Sequence, residues 1–188
     1  MKAFVIAAFL LFISVLTHGQ EKFLAWNETK PLQWDDFYGK VNDTSHFEAE
    51  SFAEVTYSYR FKNSYDFDFN VKAIFNRKTS WIKDGYKSEP LLKHEQVHFD
   101  IAELYARKLK PAFYRYSYSS NFEQEILDIF NQMKTEYHQM QKQYDEETNH
   151  STIAAKQKAW EIFIKDELDR VKKINFQDRA DQLFVKAQ

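Results

Sequence analysis

Leu91-Leu92-Lys93-His94-Glu95-Gln96-Val97-His98-Phe99-Asp100 is the stretch on which the reading of this chain turns. On a helix, residues four apart sit about 40° apart round the axis and one turn along it, so the His94 and His98 imidazoles reach a common point. Two nitrogen ligands so placed suit one metal ion, Zn²⁺ in particular. Glu95 projects in a neighbouring direction. It can take a proton from a metal-activated water without ligating the metal, which makes it the candidate general base. A helix carrying two surface histidines and a solvated Glu would spell the same letters, so the flanks have to decide.

They favour a helix facing an interior. Ser88 is a good N-cap, Glu89 suits the positive end, and Pro90 fits the first turn, where its missing N–H costs nothing. Arg107, Lys108 and Lys110 crowd the far end, and Pro111 is expected to stop the run. Leu91, His94, His98, Ile101 and Tyr105 form one stripe at helical spacing, so the histidines point with apolar neighbours.

Working outward, residues 20–46 read as irregular, anchored by Trp26, Trp34, Phe37 and Tyr38. From 47 to 61, Phe47, Ala49, Ala53, Val55, Tyr57, Tyr59 and Phe61 alternate with polar residues, the period of a half-buried strand. Lys62-Asn63-Ser64 reads as a turn, and Tyr65, Phe67, Phe69, Val71, Ala73 and Phe75 alternate again, so the two segments predict an antiparallel hairpin. Thr79-Ser80-Trp81-Ile82 suggests a short third strand before Asp84-Gly85. Beyond the motif, Ile126, Ile129, Phe130, Met133, Tyr137, Met140 and Tyr144 predict a helix over 121–144, with His138 beside its stripe. Ile153, Trp160, Phe163, Ile164, Leu168 and Val171 predict another over 152–173; the tail from 174 is weakly amphipathic. The expected architecture is α+β: a small antiparallel sheet beside about three long helices, one of them the zincin-like helix carrying the motif.

Composition narrows the class. Met1-Lys2 and the apolar run from Ala3 to Leu16 read as a signal peptide over 1–19, cut between Gly19 and Gln20, which makes the mature chain secreted or periplasmic, with no membrane span after cleavage. No Cys is present among the 188 residues, so no disulfide framework is available and one core must carry the single domain expected over 20–188. Interspersed charges with a formal net charge of -2 leave no basic patch for nucleic acid. Three Asn-x-Ser/Thr sequons stand at Asn27, Asn42 and Asn149.

Two histidines leave zinc under-coordinated, since catalytic zinc commonly has three protein ligands and a water. Asp100 lies roughly 200° from His98, and Glu103 roughly 180° from His94, so neither joins the site while the helix is regular. Gln143-Tyr144-Asp145-Glu146-Glu147-Thr148-Asn149-His150-Ser151, between the second and third helices, offers His150 as a ligand, with Asp145 placed to accept a hydrogen bond from a ligand histidine. Glu161, Asp166, Glu123 and Glu125 are carboxylate alternatives.

His94-Glu95-Gln96-Val97-His98-Phe99-Asp100 together with Tyr144-Asp145-x-x-Thr148-x-His150 resembles a bacterial family of unknown function whose members are described as predicted secreted zinc-dependent proteases. Trp34-Asp35-Asp36-Phe37, Ser80-Trp81 and Gln157-x-x-Trp160 are similar to its pattern as well. The resemblance favours His150 as the third ligand. Against peptidases at large, Asp100 is a departure, standing where an apolar residue is usual.

The function expected is thus a zinc metallopeptidase acting on a peptide or protein substrate, with Glu95 as base, His94, His98 and His150 as metal ligands, and Tyr144 or Tyr105 as oxyanion donors. A short strand near Trp81 would pair with the extended peptide. Two rivals predict no hydrolysis. One is a zinc-stabilised binding module of the cell envelope with a fourth protein ligand; the other binds partners through its aromatic sheet without metal.

Overall fold

A computed structural model describes the backbone of residues 21–63 and 66–186, and side chains up to Lys173 apart from that of Asn63. The leader read at 1–19 lies outside the described residues, as do Ser64 and Tyr65 at the hairpin turn. The architecture is α+β. In chain order it comprises β1 (Phe23–Ala25), a 3-10 turn (Trp34–Asp36), β2 (Ala49–Glu50), β3 (Ala53–Asn63), β4 (Asp66–Asn76), β5 (Trp81–Ile82), α1 (Glu89–Arg115), α2 (Phe122–Thr148) and α3 (Ala154–Lys186). Among the described residues, no helix is long and apolar enough to cross a membrane.

β3 and β4 form the expected antiparallel hairpin, in register from Ala53↔Phe75 to Phe61↔Phe67, with a bulge before Asn63↔Asp66. The alternation buries Phe67, Phe69, Ala73 and Phe75 on β4, whereas Tyr59 and Phe61, near the hairpin tip on β3, stay exposed. β1 completes a three-stranded sheet in the order β1-β4-β3. Three residues are too few for a visible period, which is why the segment read as irregular. The single long strand expected over 47–61 is broken. Its first part, β2, leaves the sheet and pairs with β5, Ala49↔Ile82 and Glu50↔Trp81. Trp81 and Ile82 are therefore paired and buried, and the strand that borders open space is β2. Buried Ser80 fastens this corner: its hydroxyl accepts from Phe52 N (2.9 Å) and donates to Asn76 O (2.8 Å).

Helix α1 lies at the centre, in contact with β3, β4, α2 and α3. It begins where expected, with Ser88 Oγ accepting from Leu91 N. It does not stop at Pro111; it runs on to Arg115 with Pro111 inside. Such a proline costs about 3 kcal/mol. Burial beyond it offsets the cost: Phe113 is fully enclosed and stacks on Phe69 at 4.5 Å, and Tyr114 reaches back to accept from Phe69 N at 3.1 Å. Helix α2 likewise exceeds its expected end at 144 by four residues, through Thr148, because no residue in Asp145-Glu146-Glu147-Thr148 breaks a helix. The weakly amphipathic tail is helical as far as Lys186.

Asp100 has a clear structural role. Its Oδ1 accepts from Trp26 Nε1 and from Gln96 Nε2, both at 2.7 Å, and Gln96 Oε1 accepts from Leu32 N at 2.7 Å. The carboxylate thus binds the N-terminal segment onto the back of α1, facing away from the histidines. Asp100→Ala would strand two half-buried N–H donors, and is expected to lower stability by about 2 kcal/mol, while Asp100→Asn, which keeps the acceptor oxygen, costs less. Urea unfolding midpoints of the two variants check the order.

Candidate metal centre

The four-residue spacing on α1 brings His94 Nε2 to 3.2 Å from His98 Nε2. Both rings are held from behind. His94 Nδ1 lies 3.2 Å from Gln157 Oε1 on α3, and His98 Nδ1 is bonded to Gln141 Oε1 on α2. Each amide's orientation is set by its other end: Gln141 Nε2 donates to His98 O at 2.9 Å, and Gln157 Nε2 faces Glu161 Oε1. Both Nδ1 atoms therefore donate, and in the neutral imidazoles both Nε2 atoms carry the lone pair. Tyr144, stacked on His94 at 4.6 Å and fully buried, donates its hydroxyl to Gln157 Oε1 at 2.7 Å and faces His94 O at 3.2 Å.

Asp145, one turn beyond Gln141 on α2, completes the convergence. Its Oδ1 lies 3.2 Å from His94 Nε2, 3.0 Å from His98 Nε2 and 3.4 Å from His150 Nδ1. The same oxygen is buried and receives no hydrogen bond of good geometry. A cluster of nitrogen and oxygen atoms this close is compatible with a bound cation. A tetrahedral ion with ligand distances of about 2.0–2.2 Å separates its donors by roughly 3.3–3.5 Å, close to the separations among His94 Nε2, His98 Nε2 and Asp145 Oδ1 and to that between Asp145 Oδ1 and His150 Nδ1. Electrostatics agree. Burial pushes the Asp145 carboxyl up, but the flanking imidazoles reverse this and hold it well below the usual carboxylate range. Burial also opposes a charged His98, yet Asp145, Glu95 and Gln141 together raise it above its ordinary value. The cluster attracts positive charge.

Sequence reasoning placed Asp145 behind a ligand histidine; in the structure its carboxylate stands among the ligand atoms, and His94, Asp145 and His150 offer atoms all within 4.8 Å of one another. None of the other carboxylates considered joins them: Glu125 bonds Ser119, Glu161 pairs with Lys158, and Glu123 and Asp166 are exposed. Glu95 is buried at 3% exposure and lines the same cleft, of about 330 Å³, that His94, His98, Asp145 and His150 share with Phe47–Glu54. Among the described residues none hydrogen-bonds its carboxylate. Two expected oxyanion donors are removed. The Tyr144 hydroxyl is committed to Gln157 and the α1 backbone, and Tyr105 sits in the core against Tyr137, outside the cleft. Gln141 and Gln157 were missed as site residues; the only signal was Gln157 in the spacing Gln157-x-x-Trp160.

His150 is presented by an unusual turn. Asn149, His150 and Ser151 all have positive φ (46°, 49° and 73°). Each non-glycine residue in this region costs roughly 1 kcal/mol. Bonds hold the turn in place: Asn149 N and His150 N both reach Asp145 O, and Ile153 N bonds Thr148 O at 2.9 Å. Phe47 packs on the His150 ring at 4.5 Å. Ser151→Gly is expected to raise stability by about 0.5–1 kcal/mol and Asn149→Ala to lower it by a similar amount, read from unfolding midpoints.

Comparison with known proteins agrees with the resemblance and limits it. No curated protein and no solved structure matches this chain. Residues 50–151, more than half the chain, match the family described as "Bacterial protein of unknown function (DUF922)". This span contains Ser80-Trp81, the His94–His98 motif and His150, and leaves Trp34–Phe37 and Gln157–Trp160 outside it. The chain belongs to that bacterial family.

Proposed function

We propose that the chain is a zinc-dependent hydrolase of the peptidase class, working outside the cytoplasm. The observation that carries the reading is the convergence of His94 and His98 on α1 with Asp145 on α2, and with Glu95 buried beside them in an open cleft. His94, His98 and Asp145 would hold the ion, with His150 at the rim as a fourth group. A zinc ion held there supplies Lewis-acid polarisation and activates water near neutral pH. Glu95 then has the work of a general base: it accepts the proton of the attacking water and delivers it to the leaving amine. Gln141 and Gln157 keep both Nε2 lone pairs turned towards the ion, and Tyr144 locks Gln157 in that orientation. Phe47–Glu54, on the opposite wall, is where an extended peptide backbone would lie.

One observation favours a second reading. Asp145 Oδ1 lies within 3.4 Å of a nitrogen on each of His94, His98 and His150, and four protein ligands would make a closed, structural zinc site. Glu95 separates the two, because a structural site has no use for a buried, unbonded carboxylate facing the cleft.

Metal content of the mature protein is the primary test. Near-stoichiometric zinc is expected, lost in His98→Ala and in Asp145→Ala and kept in Glu95→Gln. On an unfolded protein substrate, Glu95→Gln should lower hydrolysis by about 10²–10⁴-fold without loss of zinc. Zinc retained by His150→Ala marks an open three-ligand site. Zinc lost from it, with no hydrolysis by the parent, marks the closed structural site instead. Gln157→Leu, which removes the acceptor behind His94, is expected to weaken zinc binding about 10–100-fold in a chelator competition titration.

A further inference from the structure

The metal cleft does not end at the metal cluster. Glu54, Tyr137 and His138 line it and also line a second cleft, of about 390 Å³, between β3 and α2. That volume is in the range of ligand pockets, about 300–1,000 Å³. Of its remaining lining residues, Val55 and Tyr57 on β3, Phe130 and Met133 on α2 and Leu109 on α1 are apolar, and Thr56 and Lys134 are polar. His138, which the sequence placed merely beside the α2 stripe, thus stands at the junction of the two clefts.

The strand beside this groove has an unused edge. β3 is the last strand in the order β1-β4-β3. Phe52 O accepts from Asn76 N, so the even-numbered residues of β3 direct their backbone groups to β4. The odd-numbered ones point outward, as Ala53 O confirms by accepting from the Tyr137 hydroxyl at 2.6 Å. By the same parity the N–H and C=O of Val55 and Tyr57 lie on the outer edge of β3, and both residues line the groove.

We infer that this groove is the specificity subsite of the enzyme, and that it takes an apolar side chain from an extended peptide whose backbone pairs with the β3 edge at Val55 and Tyr57. The inference rests on the hydrolase reading above and names its substrate class: extended or unfolded polypeptide with a Leu-, Met- or Phe-sized residue close to the cleaved bond. Two features of the groove require that occupant together. The apolar residues of the lining favour an apolar side chain, and an open strand edge selects for extended backbone. Continuity through Glu54, Tyr137 and His138 puts one chain in reach of both clefts.

The test is calorimetric titration of the zinc-loaded mature protein with short peptide hydroxamates, in which Leu replaces Gly at one position at a time. A hydroxamate needs only an accessible metal, so the measurement does not depend on turnover. The expected result is about tenfold or greater preference for Leu at one position, falling towards unity in Met133→Gln and kept in Met133→Leu. Val55→Thr, nearly isosteric, should reduce the same preference and serves if Met133→Gln does not fold. Hydroxamates that bind without preference at any position, or a preference untouched by both polar variants, overturn the subsite while leaving the hydrolase reading in place. Failure of every hydroxamate to bind the zinc-loaded protein sinks the open metal site, and the subsite with it. Sedimentation at the same concentrations covers another occupant: a dimer abolished by Met133→Gln would put a second copy of the chain in the groove and overturn the inference.

Discussion

Three side-chain atoms held within hydrogen-bonding distance of one another are the constraint on which this molecule depends. His94 Nε2, His98 Nε2 and Asp145 Oδ1 come from two helices, and their tautomers and orientation come from Gln141 on α2 and Gln157 on α3. Asp145 Oδ1 is itself buried, although its side chain keeps some exposure. A cation held by these atoms would link three helices at a single point. On the metal reading proposed above, metal binding and the packing of α1, α2 and α3 would be linked free energies.

The supports of the cluster also explain residues that look incidental. Tyr144 fills the space behind His94, donates to Gln157 and meets Trp160 at 5.4 Å, and Trp160 Nε1 in turn donates to Glu147 Oε2 at 3.0 Å. Gln157 and Trp160 thus clamp α3 onto α2 behind the histidines. Across the cleft, Ser80 holds the Phe52 backbone, which sets the wall formed by β2 and the start of β3. Trp34 packs on Phe37, Phe37 packs on Phe75, and Asp36 pairs with Arg77 at 3.0 Å, so the N-terminal segment braces the root of that wall. Gly39 belongs to the same brace: a side chain there would meet Ser80 O at 2.7 Å.

How much of this is legible in the sequence depends on range. His94, Glu95 and His98 are related by one helical turn, so their common direction can be read from spacing alone. The hairpin is legible for the same reason, since a period of two persists over both strands. Asp145 was visible near the site but not as a ligand-distance group, because its direction depends on how α2 crosses α1. Gln141 and Gln157 are 43 and 63 residues from the histidines they orient, and no local pattern marks a glutamine as a tautomer lock. The end of α1 was misread because Pro111 is a local signal and the burial of Phe113 against Phe69 is not. Asp100 read as an anomaly for a related reason: its partner Trp26 lies 74 residues away.

Asp145 also shows why the strained turn after α2 belongs to the site. Its carboxylate faces the histidines, while its backbone carbonyl accepts from Asn149 and His150, the first two of three successive positive-φ residues. One residue thus sets both the innermost acceptor and the position of the outermost imidazole. Any shift of α2 moves the two together. Strain of this kind persists only where surrounding contacts over-determine the backbone, and here they come from Asp145, Thr148 and the Phe47 ring lying on His150. Phe47 belongs to the opposite wall of the cleft. His150 is therefore one contact through which the helical and the strand walls meet, beside the Tyr137–Ala53 bond, so one side chain bears both on the width of the cleft mouth and on the outermost group of the candidate metal cluster.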